Sequence, residues 1–296
     1  MKILVTGANG FLGQHLCAYF TTKNYKVVAA SRGERTIPEN LLIHYYSIDL
    51  TDKTAVAAMV QAEVPEVIIH AAAMSKPDEC DADKEACINN NVEATKHLIE
   101  AVTNFTTHFI YISTDFIFGE NGPHSEDDIA APLNFYGESK LQAEQVVRSS
   151  ELMYNIVRPV FIYGPVWQGL RGSFLHWVKQ NLEQGKQIKV VSDQQRTPTF
   201  VYDICKGIEA IITQRQPGDF HLAGKDILSP YEMACKVAEV LGLKSSLIEN
   251  VTADTFPETV KRAKRSGLKI DKAVKKLGYQ PVSFEEGVRI TFNITS

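Results

Sequence analysis

A tyrosine and a lysine four residues apart, Tyr136 and Lys140, are the side chains of this sequence best suited to moving a proton. Residues at i and i+4 share one face of a helix, so the phenol and the ammonium can point into the same cleft. We expect the cation to lower the tyrosine pKa, which makes the phenol an acid or base near neutral pH. In Ser113-Thr114-Asp115, the Thr114 hydroxyl could polarise a substrate carbonyl oxygen. An exposed helix face carries the same Tyr-x-x-x-Lys spacing by chance, which is the alternative.

A glycine-rich turn near the start of the chain is the second feature with chemical meaning. Gly7-Ala8-Asn9-Gly10-Phe11-Leu12-Gly13 follows the apolar run Ile3-Leu4-Val5 and leads into residues spaced as in a helix. Glycines in a strand–turn–helix let backbone N–H groups approach a pyrophosphate at the helix N-terminus. A glycine turn without a ligand is the alternative, and its place directly after the first strand disfavours it. The cofactor contacts predicted here are Gly7, Asn9, Gly10, Phe11, Leu12 and Gly13.

The end of the second predicted strand bears on which dinucleotide binds. It carries Ser31-Arg32, where sites for NAD usually place a carboxylate that binds the ribose hydroxyls. A guanidinium can hold a 2′-phosphate through charge-assisted hydrogen bonds, and Ser31 can add another. We therefore predict NADP(H), with NAD(H) kept open by Glu34. A solvated loop arginine is the structural alternative.

Two more strand ends supply predicted cofactor contacts. Asp49 and Leu50 end the third strand, where the carboxylate could accept from an adenine amino group or cap the next helix. Asp52 competes for that cap. The small residues Ala71, Ala72 and Ala73 follow the fourth strand and could let the backbone run beside a cofactor, or could simply pack.

These residues need a fold that gathers strand ends, and the alternation of strands and helices predicts one. The predicted strands cover 2–6, 26–30, 43–48, 66–71, 107–113, 155–160, 188–191, 219–222 and 247–251. The predicted helices cover 11–22, 52–62, 84–104, 136–149, 172–184, 203–214, 229–241 and 270–277. The expected class is α/β: a Rossmann-type doubly wound parallel sheet with a smaller C-terminal α/β substrate-binding lobe. We assign 1–164 to an NADP-binding domain, with parts of 197–222 returning to it, and 165–296 mainly to the substrate-binding lobe.

Composition disfavours several functional classes. A net charge of -4 over 296 residues argues against nucleic acid as a partner. No apolar run reaches the length of a membrane span, so we expect no membrane association and a cytoplasmic protein. The five cysteines are odd in number and form no C-x-x-C pair, which predicts free thiols and no metal site.

The sequence resembles the extended short-chain dehydrogenase/reductases over essentially its whole length. Within them it is most similar to the dTDP-4-dehydrorhamnose reductases. The general signals, beyond the glycine loop and Ala71–Ala73, are Asn91-Val92-Glu93-Ala94-Thr95, Ser113–Asp115 and Tyr136 with Lys140. The signals for the reductase group are Ser113–Phe118, Ala131–Lys140, Pro198-Thr199, and Arg262 with Ser266 and Leu268. Two segments depart from that group's pattern: Lys76–Cys80, and Ala263 where the group has proline.

The resemblance implies NADPH-dependent reduction of a nucleotide-activated 4-keto-6-deoxy sugar, with dTDP-4-dehydrorhamnose as the expected substrate. Tyr136 would donate the proton, Lys140 would hold the nicotinamide ribose, and Thr114 would bind the keto oxygen. Asp115 would bind a neighbouring sugar hydroxyl. Arg262, in the basic segment Lys261–Lys276, is a candidate for the diphosphate, although such a run is more often a solvated face.

Two aromatic residues are candidates for binding the nucleotide base, and two other functions stay open. Tyr163 and Trp167, in the loop Ile162–Gly172, could stack on a nucleotide base or pack in the protein. The rivals are a nucleotide-sugar 4-epimerase or dehydratase that retains NAD, and a non-catalytic NADP-binding regulatory subunit. A homodimer is the assembly we consider.

Overall fold

The computed structural model describes residues 1–38, 41–103, 106–167 and 172–294. The strands are β1 (Lys2–Thr6), β2 (Lys26–Ser31), β3 (His44–Ser47), β4 (Val67–His70), β5 (His108–Ile112), β6 (Met153–Arg158), β7 (Ile162–Tyr163), β8 (Ile188–Val191), β9 (Thr199–Phe200), β10 (Gly218–His221) and β11 (Ile248–Val251). The helices are α1 (Phe11–Thr22), α2 (Lys53–Glu63), α3 (Pro77–Ala82), α4 (Lys84–Ile88), α5 (Ala94–Ala101), α6 (Phe135–Arg148), α7 (Phe174–Glu183), α8 (Val201–Gln214), α9 (Pro230–Leu241), α10 (Asp271–Leu277) and α11 (Phe284–Thr291).

Seven of the described strands form one parallel sheet in the order β10-β6-β5-β4-β1-β2-β3. The central strands β1 and β4 are apolar on both faces because helices cover both sides of the sheet. The chain leaves β1 toward β2 on one side and later returns to β4 on the other. Ligands of such sheets bind where the strand order reverses, outside the carboxyl ends of the strands. This architecture confirms the predicted Rossmann-type α/β class.

Two apolar layers hold the sheet between helices. On one face, α1, α8 and α10 bury residues such as Leu16, Ile208 and Leu277. On the other face, α2, α5 and α6 bury residues such as Leu98 and Val147. Helix α8 and strand β10 lie after position 197 yet pack into the main sheet and its core.

A separate apolar cluster forms the C-terminal lobe. It joins α7, α9 and α11 to the parallel pair β8–β11 and to the short parallel pair β7–β9. Helix α9 begins with a capping box in which Ser229 and Glu232 exchange hydrogen bonds, and ends at Gly242 in the left-handed conformation. Within the described ranges, no helix is both long and apolar enough to cross a membrane.

The structure divides one predicted helix and adds two helices that the sequence analysis did not predict. The predicted helix 84–104 is α4, a π-helical turn over Asn89–Glu93 and α5, which ends at Ala101; position 104 lies outside the described residues. Helix α3 was not predicted, and it is a short helix of six residues that starts with Pro77 at its first position. Helix α11 was not predicted either, although Ser283 accepts from the Glu286 N–H, a capping pattern that the sequence carries.

Candidate active site

A cleft of about 640 Å³ runs along the carboxyl ends of the sheet strands, between the sheet and the C-terminal lobe. Parallel strands put all their carboxyl ends on one edge, so segments far apart in sequence meet there. The predicted catalytic residues Thr114, Tyr136 and Lys140 line this cleft together with Asp115. So do the predicted cofactor residues Gly7, Gly10, Phe11, Leu12, Gly13, Ser31, Arg32, Asp49, Leu50, Ala71, Ala72 and Ala73. Asn9, Tyr163, Trp167 and Arg262 are not among the residues that line it.

Two glycines of the glycine loop, Gly7 and Gly13, are packed too closely to be replaced by a residue with a side chain. Gly7 has a φ of +66°, and a Cβ there would lie 2.7 Å from the backbone nitrogen of Ala72. A Cβ on Gly13 would lie 2.1 Å from the carbonyl oxygen of Gly7. Helix α1 starts at Phe11 with no side-chain cap on Gly10, so its first N–H groups stay available to an anion. The loop therefore offers backbone donors beside the Ala71–Ala73 turn, as a dinucleotide pyrophosphate requires.

The far end of the cleft carries one cation and one carboxylate. Arg32 is two-thirds exposed, and its Nη1 lies 4.0 Å from Oδ2 of Asp49. Asp49 also accepts from the backbone and hydroxyl of Thr51, and these hydrogen bonds hold its pKa below the usual range. Asp52, not Asp49, caps α2 by accepting from the Ala55 N–H. Of the two roles predicted for Asp49, the structure gives the helix cap to Asp52, and Asp49 lines the cleft.

Asn9, which we predict to contact the cofactor, is not among the residues that line the cleft. Its side-chain amide instead donates to the carbonyl oxygens of Arg32 and Glu34, at 3.1 and 2.9 Å. Its Oδ1 accepts from the Thr36 N–H at 3.0 Å. Asn9 therefore binds the loop that follows β2.

Tyr136 lies in the first turn of α6, which Asn134 caps by accepting from the Gly137 N–H at 3.0 Å. The phenol is buried, and burial raises its pKa above 10, while a hydrogen bond with the Thr114 hydroxyl opposes the rise. This reverses our prediction that the lysine cation lowers the tyrosine pKa, because desolvation of the phenolate is the larger effect. A phenol that keeps its proton across the neutral range is suited to act as an acid.

Lys140, one turn further along α6, is also fully buried. Its Nζ donates to the carbonyl oxygen of Ile112 at 2.8 Å and lies 4.1 Å from the centre of the Tyr111 ring. Burial lowers the pKa of the ammonium to about 7, and the carboxylate of Glu144 opposes this shift. The ammonium is therefore poised to gain or lose its proton near neutral pH.

Two adjacent residues with hydroxyl groups, Ser113 and Thr114, follow β5 and line the cleft. Their hydroxyl groups differ in whether they have hydrogen-bond partners. The Thr114 hydroxyl donates to Oδ1 of Asp115 and accepts from the Phe116 N–H, both at 3.3 Å. The Ser113 hydroxyl is buried and has no hydrogen-bond partner among the described residues. A buried hydroxyl without a partner is costly, which points to a ligand group as its partner. The sequence analysis gave no role of its own to Ser113.

The substrate end of the cleft continues into a narrow pocket against the C-terminal segment. Asp115 reaches across the interface, where its Oδ2 accepts from the Ser266 hydroxyl at 2.9 Å. Burial raises the Asp115 pKa, although the Arg196 cation opposes the shift. Arg262 and Arg196 line this pocket together with Asp115. The sequence analysis missed Arg196, which stands two residues before Pro198-Thr199 and could have been found as a cation next to that element.

The two aromatic candidates for base stacking lie elsewhere. Tyr163 is 1% exposed and packs in the lobe core against Phe200 and Phe284. The ring of Trp167 stacks on His15 of α1, with 4.3 Å between ring centres. The rest of their predicted loop, 168–171, lies outside the described residues. The structure therefore gives both rings packing partners in place of the predicted position at the cleft.

Comparisons with known proteins agree with this geometry. A family model described as "RmlD substrate binding domain" matches residues 1–295. Methionine adenosyltransferase 2 subunit beta from Pongo abelii is 32% identical over 258 residues, which cover 85% of this chain and 75% of that protein.

Two solved structures show where the likeness extends in three dimensions. The dTDP-4-dehydrorhamnose reductase of Bacillus anthracis, crystallised with NADP, has a TM-score of 0.86 at 27% identity and 99% coverage of both chains. The UDP-glucuronic acid 4-epimerase of Bacillus cereus, crystallised with UDP-glucuronic acid and NAD, has a TM-score of 0.83 at 26% identity, covering 99% of this chain and 98% of that chain. The resemblance to extended short-chain dehydrogenase/reductases is confirmed, and the chain belongs to the RmlD substrate binding domain family.

Proposed function

We propose that this protein is an NADPH-dependent reductase of a nucleotide-activated 4-keto-6-deoxy sugar, and that it converts dTDP-4-dehydrorhamnose to dTDP-L-rhamnose. One observation carries the proposal: Thr114 and Tyr136, both with hydroxyl groups, line the same cleft as the glycine loop. Hydroxyl donors beside a dinucleotide site suit reduction of a carbonyl group. The likeness to a dTDP-4-dehydrorhamnose reductase crystallised with NADP supports the nucleotide and the sugar.

The residues of the cleft fit a bound dinucleotide. The glycine loop would hold the pyrophosphate, since a Cβ at Gly7 or Gly13 would collide with neighbouring backbone. Ser31 and Arg32 would hold a 2′-phosphate, because the exposed guanidinium carries no strong ion pair: its nearest described carboxylate is 4.0 Å away. The Ser113 hydroxyl, which lacks a protein partner in the described chain, would gain one in the cleft. When bound, the reduced nicotinamide supplies the hydride for the keto carbon.

The side chains around the keto group then divide the remaining work. Thr114 donates a hydrogen bond to the keto oxygen and stabilises the negative charge that develops on it. Tyr136 retains its proton at neutral pH and transfers it to that oxygen as the alkoxide forms. Lys140 places a cation behind the phenol and holds the cofactor ribose. Arg262 contacts the diphosphate of the nucleotide sugar at the substrate end.

The test is NADPH oxidation with enzymatically prepared dTDP-4-keto-6-deoxy sugars, with UDP and GDP analogues in parallel. We expect turnover with the dTDP substrate. The control variant Tyr136→Phe should bind NADPH with unchanged affinity and lose at least about a hundredfold in turnover, the usual size of a general-acid contribution. Full activity of Tyr136→Phe would remove the proposed mechanism.

A regulatory subunit is the second candidate, favoured by the 32% identity to methionine adenosyltransferase 2 subunit beta. Under that function the cleft binds NADP(H) but no keto sugar of the panel is reduced. A third candidate, an epimerase or dehydratase, is represented by the likeness to the UDP-glucuronic acid 4-epimerase. It predicts that the purified protein retains NAD. That the protein forms a homodimer stays a prediction, which analytical sedimentation would test.

A further inference from the structure

Four consecutive carbonyl groups, starting at the last residue of β2, lie within hydrogen-bond distance of two side-chain groups, the amide of Asn9 and the hydroxyl of Tyr45. Asn9 Nδ2 donates to the carbonyl oxygens of Arg32 and Glu34 at 3.1 and 2.9 Å. Tyr45 lies on β3, and its hydroxyl reaches the carbonyl oxygens of Ser31 and Gly33 at 3.3 and 2.8 Å. We call the segment Ser31–Thr36 the arginine loop.

The two groups also contact each other and fix the end of the loop. Asn9 Nδ2 lies 2.9 Å from the Tyr45 hydroxyl, so the two hydrogens of this amide are shared among three oxygens. Asn9 Oδ1 accepts from the backbone and the hydroxyl of Thr36, at 3.0 and 3.1 Å. Gln14 of α1 then donates to the Thr36 hydroxyl at 2.8 Å.

The consequence for the cleft is electrostatic. Carbonyl oxygens carry partial negative charge and would repel a phosphate. The carbonyl groups of Arg32, Gly33 and Glu34 bind Asn9 and Tyr45, and that of Ser31 accepts from the Ile48 N–H at 2.9 Å, so all four are kept from a ligand at Arg32. The same bonds hold the backbone of Arg32 while its guanidinium stays exposed at the cleft. Gly33, with a φ of +75°, permits the turn that brings its carbonyl to Tyr45.

We propose that Asn9 is a positioning residue for dinucleotide selection: by binding the arginine loop to the glycine loop, it places Arg32 for the 2′-phosphate of NADP(H). The proposal rests on the proposed NADPH dependence and deepens it. It also replaces the direct cofactor contact that we predicted for Asn9. The glycine loop binds the pyrophosphate and the arginine loop binds the 2′-phosphate. The Asn9 side chain sets the distance between the two loops.

The experiment measures the dissociation constants of NADPH and NADH, by fluorescence titration, for the wild type and for Asn9→Ala, Arg32→Ala and the double variant. We expect Asn9→Ala to lower the NADPH preference about tenfold, the worth of a charge-assisted hydrogen bond, with NADH affinity within about twofold of wild type. The double variant should have the preference of Arg32→Ala alone, because Asn9 acts through Arg32.

Two more variants separate positioning from general damage. Tyr45→Phe removes only the second donor, keeps the ring, and should lower the preference in the same direction even if Asn9→Ala folds poorly. Thr36→Val removes the hydroxyl bonds to Asn9 and Gln14 but keeps the backbone bond to Asn9, so its NADPH preference should stay near wild type.

Other results would overturn the proposal. Equal losses of NADPH and NADH affinity in Asn9→Ala and Tyr45→Phe would make Asn9 a structural residue only. Independent, multiplying effects of Asn9→Ala and Arg32→Ala would contradict action through Arg32, and so would a wild type without NADPH preference. None of these readouts needs turnover, so failure of the reductase function, with dinucleotide binding intact, is distinguished from failure of this inference.

Discussion

Nη2 of Arg262 lies 2.6 Å from Oδ2 of Asp78, which joins the first turn of α3 to the segment before α10. The Asp78 carboxylate also accepts from the Thr259 hydroxyl, and these partners hold its pKa below the usual range. Asp78 lies in Lys76–Cys80 and Arg262 stands directly before Ala263, the two places where the sequence departs from the pattern of the dTDP-4-dehydrorhamnose reductases. The Arg262–Asp78 contact therefore joins the neighbourhoods of both departures.

Replacing Arg262 should weaken substrate binding specifically. We expect Arg262→Ala to raise the KM for the nucleotide sugar about tenfold or more, since one charge-assisted contact to a phosphate is lost. Affinity for NADPH should not change, because the dinucleotide residues lie at the other end of the cleft. Steady-state kinetics and NADPH titration test both statements. Lys275→Ala, an exposed change on α10 in the same basic segment, is the matched control and should leave KM at its wild-type value.

Asp78→Asn tests what the ion pair does for the substrate. With its carboxylate partner removed, the Arg262 guanidinium is free for the diphosphate, so we expect a lower KM at unchanged kcat. The gain should be within about tenfold, because the pair is partly exposed and such pairs are weak. A raised KM would show instead that Asp78 holds Arg262 in its binding position.

The two hydroxyls at the end of β5 should differ in function. Thr114→Val removes the donor to the keto oxygen and should lower kcat by about a hundredfold, whereas Thr114→Ser should restore most of it. Ser113→Ala should mainly weaken NADPH binding, because its hydroxyl has no partner among the described residues and lines the cleft. Single-turnover rates and NADPH titration separate the two effects. Equal kcat values for Thr114→Val and the wild type would show that a residue other than Thr114 donates the hydrogen bond to the keto oxygen.

The sequence was sufficient to predict which residues meet at the ends of the strands, but not how deeply each side chain is buried. Ser31, Asp49 and Ala71 could be assigned to one cleft because parallel strands bring their carboxyl ends together. The pKa of Tyr136 could not be foreseen, since Lys140 is visible in the sequence and desolvation by distant segments is not. The choice between stacking and packing for Tyr163 could not be made for a similar reason: its packing partner Phe284 lies on α11, which the sequence analysis did not predict.

Asn9 shows a further limit of sequence patterns. Its place within the glycine motif predicts a cofactor contact, but side-chain direction depends on which loop packs beside the motif. Here the Asn9 amide donates to carbonyl groups of the arginine loop and to the Tyr45 hydroxyl. A motif therefore locates a phosphate site more reliably than it assigns each of its side chains.

The pH dependence of the reaction should follow Lys140 and not Tyr136. The phenol pKa is raised above 10, so Tyr136 stays protonated through the neutral range. The Lys140 pKa is lowered to about 7, so its charge is lost as the pH rises through that value. We expect kcat/KM to fall above about pH 7 in the wild type. Lys140→Arg, which stays charged, should lack this limb even if its rate is lower. The same limb in both proteins would assign it to another group.

The buried ammonium should also cost stability. A lysine pKa of 10.5 in the unfolded chain and about 7 in the folded chain means that the unfolded state binds more protons between these values. The free energy of unfolding therefore rises with pH across that window. Lys140→Met should stabilise the protein by about 2 kcal/mol at or below neutral pH, and by progressively less toward pH 10.5. Urea unfolding at several pH values measures this, and a pH-independent difference would contradict it.

Replacing Glu144 should change both the free energy of unfolding and the pH at which kcat/KM falls. Its carboxylate binds the buried Arg158 guanidinium through two hydrogen bonds, at 2.8 and 2.7 Å, and raises the Lys140 pKa. Glu144→Gln leaves the Arg158 cation with Asp219 as its nearest anion, which should cost about 3–5 kcal/mol of unfolding free energy.

The same change removes negative charge near Lys140, so the limb in kcat/KM should move to lower pH. Glu138→Gln, an exposed change on the same helix, is the control and should alter stability by less than about 0.5 kcal/mol. Urea unfolding and pH–rate profiles of both variants give the two readouts. If Glu144→Gln lost stability while the limb stayed in place, Glu144 would be a structural partner of Arg158 with no influence on the active-site lysine.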